Sequence, residues 1–241
     1  MPELFRIHVN DAGVMPYIFG VSSYLFFCTL GIVSGVVFYW LNTRGKGDNN
    51  YGTALIALSA LIFGIIGAKI PLLIEYRSLE ALIAGKSIVG GLAFGGFGVV
   101  LTKKLLKIKL SFGNILAPSI ALGVAIGRLG CFFGGCCYGV AAHWGFDFGD
   151  GLLRLPAQLF EAAFHLIAFI ALLYSLNRTK APGVLFRRYW LAYLIFRFFI
   201  EFIRVHPIFF CGMTVYQLLC LLGVLFIGFL VWRERRNAAL V

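Results

Sequence analysis

Residues 17–40 read YIFGVSSYLFFCTLGIVSGVVFYW, without one Asp, Glu, Lys or Arg. A helix needs about 20 apolar residues to cross the hydrocarbon core of a bilayer, and this run meets that length. It is too long for a signal-peptide core, and Glu3 and Asp11 precede it rather than a basic stretch. It therefore reads as a retained transmembrane helix. Working outward, six further runs of similar character follow, over residues 51–73, 87–102, 115–133, 156–176, 184–203 and 213–232. None shows the ten-residue alternation of a membrane β-barrel strand.

Composition agrees with this reading. Of 241 residues, 61% are hydrophobic and 13% charged, against roughly 45–50% and about 25% in a soluble domain. So few charges cannot coat a soluble exterior. The expectation is an all-α integral membrane protein of about seven transmembrane helices, a single polytopic domain over residues 1–241. No internal repeat is evident, which disfavours an inverted-repeat transporter.

The net charge of +11 suggests either a nucleic-acid footprint or a topology signal, and position decides between them. Arg44, Lys46, Lys103, Lys104, Lys107, Lys109, Arg178, Lys180, Arg187, Arg188, Arg233, Arg235 and Arg236 all follow odd-numbered helices, thirteen of the 21 cations on one side. Arg6, Arg77, Lys86, Arg154 and Arg204 lie on the other. The positive-inside rule then puts the amino terminus outside and the carboxyl terminus in the cytoplasm. The partner implied is a lipid bilayer, not nucleic acid.

Lys69, Arg128 and Arg197 remain, all inside helices. A charge at mid-membrane costs about 2.5–3.5 kcal/mol even on the lenient insertion scale, so such residues mark function by default. With Glu161, Glu201 and Tyr24 they fall in the outer half of the layer. Tyr193, Arg197 and Glu201 stack at i, i+4 and i+8, with Arg204 continuing the stripe. Three cations face two carboxylates, a balance that an anionic phospholipid headgroup completes, and arginine's planar fork suits phosphate. The competing reading is that Arg197 and Glu201 pair only to stitch helices.

Other features leave alternatives open. Gly90 and Gly91 open the glycine-rich third run, and either pack helices or offer amides to a phosphate. The stretch 134–155 is the obvious active-site loop, and its His143 is a candidate base. Cys131, Cys136 and Cys137 crowd together, either as a disulfide or inert thiols, or as a reactive thiol near Arg128. Their spacing does not match a zinc motif, so no metal and no cofactor is expected. His165 is the lone histidine well inside a helix and reads as a core residue. The last run has no lysine, which removes a retinal Schiff base.

The run Gly127-Arg128-Leu129-Gly130-Cys131-Phe132, followed by Gly135 and Gly139, resembles the signature G-R-x-G-N-F-x-N-x-E-x-x-G of bacterial prolipoprotein diacylglyceryl transferases. In order along the chain, Ser87 to Gly91 resembles the family's S-F-H-G-G, and Pro156-Ala-Gln158-Leu-Phe-Glu161 resembles H-P-S-Q-L-Y-E. Tyr193, Arg197, Glu201 and Arg204 resemble its Y-x-x-x-R-x-x-x-E-x-x-R helix, and Gly212 to Gln217 resembles S-M-G-Q-x-x-S loosely.

The resemblance implies transfer of the diacylglyceryl group of phosphatidylglycerol to the cysteine thiol of a secreted prolipoprotein, in the bacterial plasma membrane. It implies functional roles for Tyr24, Arg128, Gly139, Tyr193, Arg197, Glu201 and Arg204. The residue-level reading adds Cys136 and Glu161 as catalytic candidates, and Lys69, Gly90, Gly91 and His143 as binding candidates; the resemblance over residues 156–161 adds Gln158 as a binding candidate. The chain departs from the pattern at Val89, where the family has the histidine associated with thiol activation, and at Cys131, Gly134, Cys136 and Leu155. Glu161, His143 or a cysteine is then the replacement base. Three other readings stand beside this one: a paralogue with a different acceptor, a non-catalytic lipid-binding or lipid-moving protein, and a thiol oxidoreductase cycling the three cysteines.

Overall fold

The computed structural model describes residues 14–44, 50–76, 87–107, 113–179 and 181–238. Of the cations used for orientation, Arg6, Lys46, Arg77, Lys86, Lys109 and Lys180 lie outside the described residues. The eight α-helices described are α1 (Ser23–Thr43), α2 (Asn50–Gly67), α3 (Ile70–Tyr76), α4 (Ile88–Leu105), α5 (Gly113–Phe133), α6 (Ala157–Leu176), α7 (Val184–Ile200) and α8 (Val215–Ala238). A 3-10 turn, Glu201–Ile203, continues α7, and two small hairpins pair β1 (Tyr17–Ile18) with β2 (Val21–Ser22) and β3 (Ala141–Asp147) with β4 (Leu153–Arg154).

Six spans among the described residues are long and apolar enough to cross a membrane: Ser23–Thr43, Ala54–Glu75, Ile88–Leu105, Gly113–Phe133, Ala157–Leu176 and Val215–Arg233. The protein is an all-α membrane protein. The remaining apolar run forms α7, a helix of 17 residues. The run over residues 51–73 is broken at Ala68 and Lys69, just before Pro71, and resumes as α3. Proline has no N–H to continue an intrahelical ladder, which fits a helix restart there.

The residues fall into two units. Among the described residues, one comprises 14–44, 113–179, 181–189 and Phe202–Val205; the other comprises 50–76, 87–107, Trp190–Glu201 and 206–238. In the first, α1 lies against α5 and α5 against α6. The α1–α5 contact is backbone to backbone, since a Cβ on Gly31 would stand 2.4 Å from the Gly123 carbonyl oxygen. This is the small-residue packing expected where lipid provides no hydrophobic drive between helices. It sets Tyr24 of α1 against Gly130 of α5 and Gly134 just past its end. Ala117, Ala121, Leu172, Leu185 and Tyr189 form the apolar core of this unit, while large side chains such as Leu25, Ile32 and Ile167 face outward.

In the second unit α2 packs on α4, and α3 touches α8. Ser87 caps α4, its Oγ accepting from the Gly90 N–H at 3.2 Å. Thr214 and Gln217 form a capping box at the start of α8: Gln217 N–H donates to Thr214 Oγ1 at 3.3 Å, and Thr214 N–H to Gln217 Oε1 at 3.0 Å. Leu222, Leu225 and Phe226 on α8 are exposed. In both units polar side chains such as Glu161 and Glu201 are buried while many large apolar ones are exposed, as a lipid solvent allows.

Candidate active site

The first unit gathers its ionisable groups around Glu161, in the second turn of α6. Both carboxylate oxygens are taken: Arg128 of α5 pairs with Oε2, and Arg204 Nη1 donates to Oε1 at 2.7 Å. Glu161 is fully buried and Arg128 is 7% exposed. Two guanidiniums thus share one carboxylate. Arg128 has no acid in its own helix, and its counter-charge arrives from the next helix.

Arg204 reaches this position because α7 stops. The 3-10 turn ends at Ile203 and Arg204 follows it directly. Its backbone bridges Gly139, and Val140 N–H donates to the Ile203 carbonyl at 2.8 Å. Gly139 is pinned from two sides: a Cβ there would lie 2.6 Å from Ile203 O and 2.9 Å from Leu155 O. This glycine serves close packing that positions Arg204.

The cysteines are brought together by the end of α5. Cys136 N–H donates to the Cys131 carbonyl at 3.0 Å and Gly135 N–H to Phe132 O at 3.2 Å, with Gly135 in the left-handed region at φ 69. These are the two bonds of a Schellman cap, whose geometry sets the residue after the glycine against the one five positions back. Here those residues are Cys136 and Cys131. Cys137, itself at φ 65, adds a third thiol, and the three sulfurs lie within 4.8 Å of one another.

Arg128 Nη1 is 4.0 Å from Cys131 Sγ. Hydrogen bonds from the Cys131 and Cys136 thiols, with the Arg204 and Arg128 cations, hold the Cys137 thiol well below the ordinary thiol range. Cys136 is pushed well above it by hydrogen bonds with Cys131 and Cys137 and by burial. Gln158, fully buried one turn before Glu161, donates Nε2 to the Cys136 carbonyl at 2.8 Å and so ties α6 to this turn.

The stretch 134–155 contains the β3–β4 hairpin. Asp147 Oδ1 closes its tip, accepting from the N–H groups of Gly149, Asp150 and Gly151. Phe132 of α5 packs edge to face against Phe146 of β3 and Phe148 in the turn that follows. His143 is exposed on β3. His165 is fully buried and its Nδ1 lies 3.0 Å from the Tyr189 hydroxyl, a core contact.

The second unit holds a separate polar set. Arg197 pairs with Glu201 one turn on, and Tyr193 is fully buried on the same face. Glu201 Oε1 also accepts from Thr214 Oγ1 at 2.9 Å and lies 4.0 Å from His206 Nε2. His206 Nδ1 lies 2.9 Å from Glu75 Oε1, and the Arg197 guanidinium sits 5.0 Å from the centre of the Tyr216 ring. Lys69 is half-buried at the α2–α3 break.

The Gly90 N–H is engaged by Ser87 Oγ and the Gly91 N–H by Ser87 O. A Cβ on Gly90 would meet Gly67 O and the Pro71 ring. Glu75, His206 and Thr214 were not evident as site residues from sequence. The nearest signal was Thr214-Val-Tyr-Gln217, a capping-box pattern just before an apolar run.

Residues 14–233 match the profile of the family described as prolipoprotein diacylglyceryl transferase. The chain belongs to this family. It is 31% identical over 216 residues to the "Phosphatidylglycerol--prolipoprotein diacylglyceryl transferase 2" of Clostridium perfringens, covering 80% of this chain and 84% of that protein. It is 29% identical over 253 residues to the "Phosphatidylglycerol--prolipoprotein diacylglyceryl transferase" of Dehalococcoides mccartyi, covering 97% of each. The protein of that name in Clostridium kluyveri is 30% identical over 243 residues, covering 91% of this chain and 94% of the relative. The family is one of transferases, and Arg128, Glu161 and Arg204 lie within the matched span.

Proposed function

We propose that this chain moves the diacylglyceryl group of phosphatidylglycerol to the cysteine thiol of a prolipoprotein and releases glycerol phosphate. The observation that carries the proposal is the convergence of the Arg128 and Arg204 guanidiniums on buried Glu161, in a chain that belongs to the transferase family. A phosphodiester offers acceptor oxygens and negative charge to such guanidiniums. Charge developing on the leaving phosphate then meets donors already fixed in place, which is where electrostatic catalysis acts. Glu161 orients both guanidiniums, and Gln158 holds the neighbouring cysteine turn.

In this reading the protein is a multi-pass component of the bacterial plasma membrane, with its site toward the outer leaflet, its amino terminus outside and its carboxyl terminus in the cytoplasm. The uneven distribution of lysine and arginine between connections supports that orientation. A fluorescent protein fused after Val241 is expected to fluoresce, and alkaline phosphatase at the same point to stay inactive; the reverse pattern overturns the orientation.

The activity is tested by incubating the purified protein with labelled phosphatidylglycerol and a peptide carrying a lipobox cysteine. The expected products are the thioether-linked diacylglyceryl peptide and glycerol phosphate in equal amounts. If neither appears, the transfer reading is wrong.

A further inference from the structure

The three thiols of Cys131, Cys136 and Cys137 are the strongest feature that the transfer reading leaves unused. They come from three positions of one helix cap, they are free thiols, and their sulfurs lie within 4.8 Å of one another. Zinc–thiolate bonds are about 2.3 Å, so three sulfurs around one zinc ion stand about 3.8–4.0 Å apart. Small rotations about the side-chain bonds close that difference. We propose that Cys131, Cys136 and Cys137 form a three-thiolate site for Zn2+ whose fourth position takes the thiol of the acceptor cysteine.

Four observations converge on this site. Soft thiolate ligands select zinc or copper(I) over hard cations. The cluster is graded in exposure, with Cys131 buried, Cys136 half-buried and Cys137 exposed, so one side stays open, as a catalytic rather than a structural zinc site requires. The turn is braced, because the Schellman bonds fix Cys131 against Cys136 and Gln158 holds the Cys136 carbonyl. Finally, Arg128 reaches both the cluster and Glu161, so the guanidinium that would hold the donor phosphate also stands beside the bound acceptor.

The inference rests on the transfer reading above and names how its nucleophile is made. Val89 is buried and has no proton acceptor, so thiol activation has to come from elsewhere. On binding zinc the acceptor thiol loses its proton to solvent. Its sulfur attacks the glyceryl carbon that carries the phosphate oxygen, and a C–S bond forms. The C–O bond breaks with its electron pair on oxygen, and glycerol phosphate leaves with that charge. The thioether is a poorer ligand than a thiolate and departs, returning the site to three thiolates. No oxidant or reductant is consumed.

The test uses the full chain purified in detergent under reducing conditions. Elemental analysis should find one zinc per chain, and cobalt loading should give the intense thiolate charge-transfer and visible bands of a tetrahedral site. Cys131→Ser, Cys136→Ser and Cys137→Ser should each lower metal affinity at least about tenfold. Cys220→Ser, a buried cysteine in α8, should leave it unchanged, and thermal unfolding of each variant shows whether it is folded.

Adding a lipobox peptide should shift the cobalt spectrum, and the same peptide with serine for cysteine should not. Absence of bound metal in the folded protein overturns the proposal, as does a disulfide that removes two of the three thiols from maleimide labelling before reductant is added. Metal binding with no spectral response to the cysteine peptide overturns the role of the fourth position. A metal site that responds to the peptide while no thioether forms supports this inference and counts instead against diacylglyceryl transfer.

Discussion

Arg204 and Glu161 stand 43 residues apart in sequence and 2.7 Å apart in space, and the same carboxylate carries Arg128 on its other oxygen. Removing the shared acid therefore strands two cations, whereas removing Arg204 strands none. Glu161→Gln is expected to cost about 3–5 kcal/mol, the usual range for breaking a buried pair, and Arg204→Gln clearly less. The double variant should recover part of the loss, with a coupling of about 0.5–3 kcal/mol. Thermal unfolding of the four proteins in one detergent measures the cycle, and additive losses would mean that Arg204 and Glu161 do not interact energetically.

Arg128→Lys keeps the charge and removes the planar fork. A lysine still neutralises Glu161, but it does not present two parallel donors to a phosphate while doing so. A charge-assisted hydrogen bond contributes about 1.5–3 kcal/mol, so donor turnover should fall by about tenfold or more. The melting temperature should change little by comparison. Turnover at the unsubstituted level would make Arg128 a structural residue and leave the phosphate to Arg204.

The membrane class and most helix bounds were legible in the sequence because lipid imposes a crude rule, long and mostly apolar runs with few charges, that most segments obey by themselves. The pairing of Arg128 was not legible, since its partner lies on another helix. Nor was the pairing of Arg204 with Glu161, because the two residues lie 43 positions apart. The cysteine cluster was visible as a crowd but not as a site. Its spacing fits no metal motif, and only the Gly135 cap turns residues five apart into neighbours. His206 and Glu75 meet across 131 residues, a distance at which composition and periodicity say nothing.

Gly139→Ala is expected to be disproportionately harmful for one methyl group. The new Cβ would lie 2.6 Å from Ile203 O and 2.9 Å from Leu155 O, both backbone atoms that cannot rotate away. Overpacking of this kind costs about 1–3 kcal/mol. The segment that would move carries Arg204, so activity should fall further than stability alone explains. Comparing turnover at a temperature where the variant is fully folded separates the two, and wild-type turnover there would show that Arg204 keeps its place without this glycine.

Thr214 does two jobs with one hydroxyl. As the cap of α8 it accepts from the Gln217 N–H, and it donates its own proton to Glu201 Oε1 at 2.9 Å, the carboxylate that pairs with Arg197. Thr214→Val should lose both contacts, about 1 kcal/mol for the cap and about 1–3 kcal/mol for leaving a buried carboxylate short of a donor. Thr214→Ser keeps both and should behave like the unsubstituted protein. Thr214→Asp is the discriminating variant: it is a good cap residue, so a role limited to capping predicts near-normal stability. Facing Glu201, however, it places a second negative charge where a proton donor stood. Thermal unfolding should therefore rank Thr214→Asp at or below Thr214→Val, and the opposite order would show that the Glu201 contact contributes nothing.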